Sequence, residues 1–118
     1  TKLVYNMNIL SQNAALAAMD YADDILAHNI PPTLAARQHF MDALKDVPNL
    51  TVYPSATNFV LVRVPDGPAM VKALHDADIC VRSYKAADLK NCLRITITTD
   101  DVVRRVVAVM TEEAKKYA

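Results

Sequence analysis

The sequence predicts an α+β fold, with a small, mostly antiparallel sheet of about four strands covered by helices. Apolar residues recur at helical spacing as far as Val47, and the texture then changes to short β-branched and apolar runs. The segments follow the order helix, helix, strand, strand, helix, strand, strand, helix. With a single glycine, the chain has no means of building a Gly-rich phosphate loop, which excludes the P-loop and GxGxxG nucleotide folds.

Asn8 is the expected N-cap of a helix through Ile9, Leu10, Ala14, Leu16, Ala17 and Ala18, after a lead-in from Thr1 to Met7 that arrives from somewhere else. An alanine-rich helix of this kind suits close packing against a neighbour. Asp20 to Leu26 continues helically, with Tyr21, Ile25 and Leu26 as its apolar stripe. Pro31-Pro32 should force a break or restart, because neither residue can donate to the preceding turn. Leu34, Arg37, Phe40, Met41 and Leu44 resume the helical spacing, and Pro48-Asn49 ends it in a turn. Leu50 to Tyr53 reads as a short strand. Asn58 to Val64 is the strongest strand, apolar on both faces and so expected inside the sheet. A turn at Pro65-Asp66-Gly67-Pro68 leads to a short helix, Ala69 to Ala77, burying Met70, Val71 and Leu74. Asp78 stands where a left-handed residue is expected. Two further strands carry Arg82 and Arg94, separated by a polar stretch from Lys85 to Asn91. Thr98-Thr99-Asp100-Asp101 caps the last helix, whose buried face is Val102, Val103, Val106, Val107 and Met110.

A length of 118 residues suits one domain with a real core, residues 1–118 forming a single unit. Hydrophobic residues make up 53% and the formal charge is zero, which describes a packed soluble protein rather than a disordered or nucleic-acid-binding one. No apolar run approaches the roughly 20 residues of a membrane helix, and the start does not resemble a signal peptide. Cys80 and Cys92 lie in predicted strands without CxxC spacing, as reduced core residues of a cytoplasmic protein do.

The residues most informative about function are Arg82, in Ile79-Cys80-Val81-Arg82-Ser83-Tyr84, and Arg94, in Cys92-Leu93-Arg94-Ile95-Thr96-Ile97. Both runs read as interior strands. A guanidinium buried without a partner costs several kcal/mol, so an anion is expected at each: a carboxylate of this chain or a bound ligand. The flanking strands contain no acid. Two planar forks on neighbouring strands suit a carboxylate or phosphate. Arg63 stands beside a turn, from which it can reach water. His28, His39 and His75 show no metal-ligand spacing, the serines lack a His–Asp arrangement, and no lysine stands in an apolar context. No complete catalytic set and no metal site is visible.

The stretches Tyr5-Asn6-Met7-Asn8-Ile9-Leu10-Ser11-Gln12, Val52-Tyr53-Pro54-Ser55-Ala56-Thr57-Asn58-Phe59-Val60-Leu61-Val62, Val81-Arg82 and Asn91-Cys92-Leu93-Arg94-Ile95-Thr96 form an ordered set. Together they resemble the C-terminal part of histidinol-phosphate aminotransferases, pyridoxal-phosphate enzymes of the aspartate-aminotransferase fold. The resemblance implies the small domain of such an enzyme, inactive alone. The Schiff-base lysine and the pyridoxal 5'-phosphate site would belong to a large domain earlier in sequence. It implies that Arg94 grips the substrate carboxylate or an equivalent anionic end, that Arg82 helps hold a distal phosphate, and that Asn58, Tyr5 and Asn6 order the site. The implied reaction is amino-group transfer, with the cofactor as electron sink and the full-length protein a cytoplasmic homodimer. A decarboxylase of the same fold and a stand-alone anion-binding module are the alternatives. Val4, Asp78 and Thr98 depart from the family's usual proline and glycines, which bears on loop geometry and substrate.

Overall fold

The computed structural model describes residues 7–118, which divide into two compact units, one ending at Pro31 and the other covering Pro32–Ala118. In the first unit, helix α1 (Ile9–Met19) is capped by Asn8, whose side chain accepts the Ser11 N–H at 2.9 Å. None of its residues is buried, and Ile9, Leu10, Leu16 and Met19 are open to solvent. A turn at Asp20-Tyr21 interrupts the helical run that the sequence suggests is continuous, and α2 (Ala22–Leu44) begins after it. The expected break at Pro31-Pro32 does not occur, because α2 runs through both residues. The carbonyls deprived of their donors are those of Ala27 and His28, both exposed residues, so water can satisfy them.

The second unit holds a four-stranded sheet in the order β1-β2-β4-β3, every neighbouring pair antiparallel. Its strands are β1 (Thr51–Val52), β2 (Phe59–Arg63), β3 (Arg82–Ser83) and β4 (Cys92–Thr96). Strand side chains alternate between faces. Val60, Val62, Leu93 and Ile95 therefore share one face, and they pack with Ala36, Phe40 and Leu44 of α2 in a single core. Met70 and Leu74 of α3 (Gly67–Asp76) and Val103, Val106 and Met110 of α4 (Asp100–Lys115) complete it. On the opposite face of β4, Arg94 and Thr96 are exposed while Cys92 is buried. β2 lies inside the sheet as expected, between β1 and β4, but only one of its faces is fully buried: Phe59 and Leu61, on the other, are half-buried. Cys80 is also not a core residue; it is exposed and precedes β3, whereas Cys92 is buried.

Gly67 opens α3, so the segment predicted as a separate turn is the helix start. Asp66 is its N-cap, accepting the Ala69 N–H at 3.0 Å, and Pro68 occupies the first turn. Asn91 locks this corner, accepting the Gly67 N–H at 3.2 Å and donating to the Pro65 carbonyl at 3.0 Å. A Cβ on Gly67 would stand 2.7 Å from the Lys90 carbonyl oxygen. Gly67→Ala should therefore cost about 1–3 kcal/mol in urea unfolding, as overpacking against backbone does. An unchanged midpoint would mean that the Lys90-Asn91 backbone yields freely.

The left-handed position expected at Asp78 is present, with φ 59°, and Asn49 supplies another at φ 65°. His39 Nδ1 on α2 meets Asp100 Oδ1 on α4 at 2.5 Å, and Arg104 Nε donates to Asp100 Oδ2 at 2.7 Å. The His39 contact first, then Arg104, holds the Asp100 carboxyl below the usual carboxylate range. Among the described residues no helix is long and apolar enough to cross a membrane.

Candidate functional site

The sheet face away from the core carries the functional candidates. Arg82 on β3 and Arg94 on β4 are direct partners across an antiparallel pair, so both project from the same face. The burial expected for them is overturned: both are exposed. In Cys92–Thr96 the inward positions are Leu93 and Ile95, and Arg94 has the opposite parity. The two arginines therefore carry no desolvation cost here. Their problem is mutual, since like charges directly opposite one another destabilise an antiparallel pair.

Among the described residues neither Arg82 nor Arg94 forms an ion pair; the carboxylates that do, Asp42, Asp76, Asp100, Glu112 and Glu113, pair with other cations. Arg63, the third arginine in a strand, is held by the chain itself. Its Nε donates to the Tyr53 hydroxyl and a terminal nitrogen donates to the Asp88 carbonyl, both at 3.1 Å. The Tyr53 contact raises the Arg63 pKa above its ordinary value. A neighbouring side chain supports Arg94 differently: its guanidinium carbon lies over the Phe59 ring, 5.0 Å from the centroid. That contact is invisible in the sequence without the register that pairs Phe59 with Thr96 and Leu61 with Arg94.

Asn58 is exposed, and it acts through its backbone: its carbonyl accepts the Ile97 N–H at 2.8 Å, joining the start of β2 to the end of β4. The residues that order this loop are Ser55, Thr57 and Arg37, which sequence reasoning missed. The Ser55 and Thr57 hydroxyls both donate to the Phe59 carbonyl, at 2.5 and 3.2 Å. Arg37 reaches from α2 to the Thr57 carbonyl at 2.8 Å. Hydroxyls spaced Ser-x-Thr just before a strand were the available signal. Tyr5 and Asn6 lie outside the described residues.

Two adjacent, unpaired forks on an open face fit a carboxylate or a phosphate. The described residues do not fit a pyridoxal-phosphate cradle. Each described α-helix starts with a cap or acid of its own — Asn8, Asp23-Asp24, Asp66 or Asp100-Asp101 — which disfavours a phosphate there. Lys45, Lys72, Lys115 and Lys116 are tied to acids, and Lys85 and Lys90 are exposed between β3 and β4. Among the described residues no group of three or more His, Cys, Asp or Glu stands ready for a metal ion.

No protein-family model matches the chain. The histidinol-phosphate aminotransferase 1 of Ralstonia nicotianae is 34% identical over 99 residues, covering 82% of this chain and 26% of that protein. The chain belongs to the histidinol-phosphate aminotransferase family. It corresponds to the C-terminal part of these relatives and spans about a quarter to three-tenths of their length, 26% and 28% in two examples. A protein of Burkholderia pseudomallei assigned to the aminotransferases superimposes with a TM-score of 0.80 at 30% identity, covering 96% of this chain and 34% of that one. The histidinol-phosphate aminotransferase of Sinorhizobium meliloti, solved with pyridoxal 5'-phosphate, gives a TM-score of 0.67 at 30% identity, covering 89% of this chain and 28% of that one. The α+β architecture read from the sequence is thus that of an aminotransferase-like domain.

Proposed function

We propose that this chain is the substrate-binding C-terminal domain of a pyridoxal-phosphate-dependent aminotransferase that moves an amino group to or from an anionic amino acid or amino alcohol phosphate. The observation that carries the reading is the pairing of Arg82 with Arg94 on one open face, with no carboxylate of the described chain between them. Because the two positions are cross-strand neighbours, both forks can converge on one anionic group and jointly neutralise it. A dianionic phosphate ester suits two such charges better than a single carboxylate does. The chain's own contribution is orientation: gripping the anion fixes where the reactive end of the substrate lies, and closure of the domain adds desolvation. The cofactor site and its lysine would lie in residues outside this chain, so the domain alone should not turn over substrate. The full-length protein would be a cytoplasmic homodimer, as the family resemblance implies.

Product analysis tests this directly. The full-length protein, given pyridoxal phosphate, an anionic amino donor and an oxo-acid acceptor, should yield the oxo product of the donor and the amino form of the acceptor. Released carbon dioxide would mean a decarboxylase instead. Submillimolar phosphate binding by this chain, with no turnover in any longer protein containing it, would mean a stand-alone anion-binding module.

A further inference from the structure

We infer that Phe59 is the positioning residue that aims Arg94, and that the Ser55–Thr57 clasp exists to hold Phe59 in place. The inference rests on the anion-receptor reading of Arg94, but it assigns a role to residues that take no part in gripping the anion. An exposed arginine has a long, freely rotating stem, and Arg94 faces a second positive charge at Arg82 that drives the two forks apart. Left alone, its guanidinium would sample many directions. The Phe59 ring offers its negative face to the guanidinium carbon at 5.0 Å, giving the fork one preferred resting place.

The backbone that carries the ring is itself held. The Phe59 carbonyl accepts hydrogen bonds from Ser55 and Thr57, its N–H donates to Thr57 Oγ1 at 3.4 Å, and Arg37 secures the Thr57 carbonyl at 2.8 Å. A support thus runs from α2 through the loop before β2 to the Phe59 backbone, and the ring it carries reaches the fork. A lysine at position 94 could not present the planar fork that the ring holds in place.

Inorganic phosphate titrated into the protein by calorimetry, with NMR of the Arg94 side chain in the absence of ligand, tests the assignment. Phe59→Leu keeps apolar bulk and removes the aromatic face. It should weaken phosphate binding by about two- to five-fold, the worth of one exposed cation–π contact. It should also shift the Arg94 Hδ and Nε resonances by removing the ring current, and Phe59→Tyr should restore affinity. Unchanged affinity and unchanged Arg94 resonances in Phe59→Leu would overturn the proposal. So would a loss that Phe59→Tyr fails to restore, which marks a merely structural role. If Arg94→Ala binds phosphate as the parent does, the anion-receptor reading fails by itself. The ligand-free resonances of Phe59→Leu then decide whether the ring holds the arginine at all.

Discussion

Arg94→Ala should weaken binding of a phosphate or carboxylate probe by about 10- to 100-fold, the worth of a charge-assisted hydrogen bond to an anion. The fold should be unharmed. Arg94 is exposed, makes no ion pair among the described residues and opposes the like charge of Arg82 across the strand pair. Removing it relieves that opposition but also gives up the contact with the Phe59 ring, two effects of similar size, so the unfolding free energy should move by no more than about 1 kcal/mol. Affinity lost while stability barely moves is the pattern of a residue kept for binding rather than for the fold. An arginine kept for structure would move both downward. Anion titration and urea unfolding on the same variant separate the two cases, and a clear loss of stability would count against the binding role. Arg94→Lys should recover little, because an ammonium lacks the planar fork.

Phe40→Ala should have the largest effect on stability, about 3–5 kcal/mol. Phe40 is fully buried on α2 and belongs to the same core as Val60, Leu93 and Met110, so its removal leaves a void in that core. A domain of this size has roughly 5–15 kcal/mol in total, so the loss is a large share of it. Urea unfolding should give a much lower midpoint with little change in slope. A loss below about 1 kcal/mol would mean that the helices repack around the gap far more readily than a close-packed core allows.

The elements with regular periodicity were readable from the chain because burial imposes their spacing directly. Val103, Val106 and Met110 recur as a helix facing a sheet must, and the cap at Asn8 and the left-handed turn at Asp78 follow from side-chain chemistry. The proline pair misled because its local cost is borne outside the stretch where α2 buries Ala36, Phe40 and Leu44. The arginines misled for a different reason. A β-branched run around a charge suggests an interior strand, but nothing in the run says that only one face of the sheet is fully buried. The alternation of Leu93 and Ile95 with Arg94 and Thr96 held that information, but Cys92, of the same parity as Arg94, is buried and blurs it. Phe59 beneath Arg94 depends on register, which joins residues far apart in the chain, and no local pattern encodes it.

The bare surface of α1 has a calorimetric consequence. The heat-capacity change of unfolding comes mainly from apolar groups newly wetted. Ile9, Leu10, Leu16 and Met19 are wet already, so melting that helix adds little to the increment. The temperature dependence of stability should therefore be shallower than a chain of this length would ordinarily give, and it should steepen once those side chains acquire a cover.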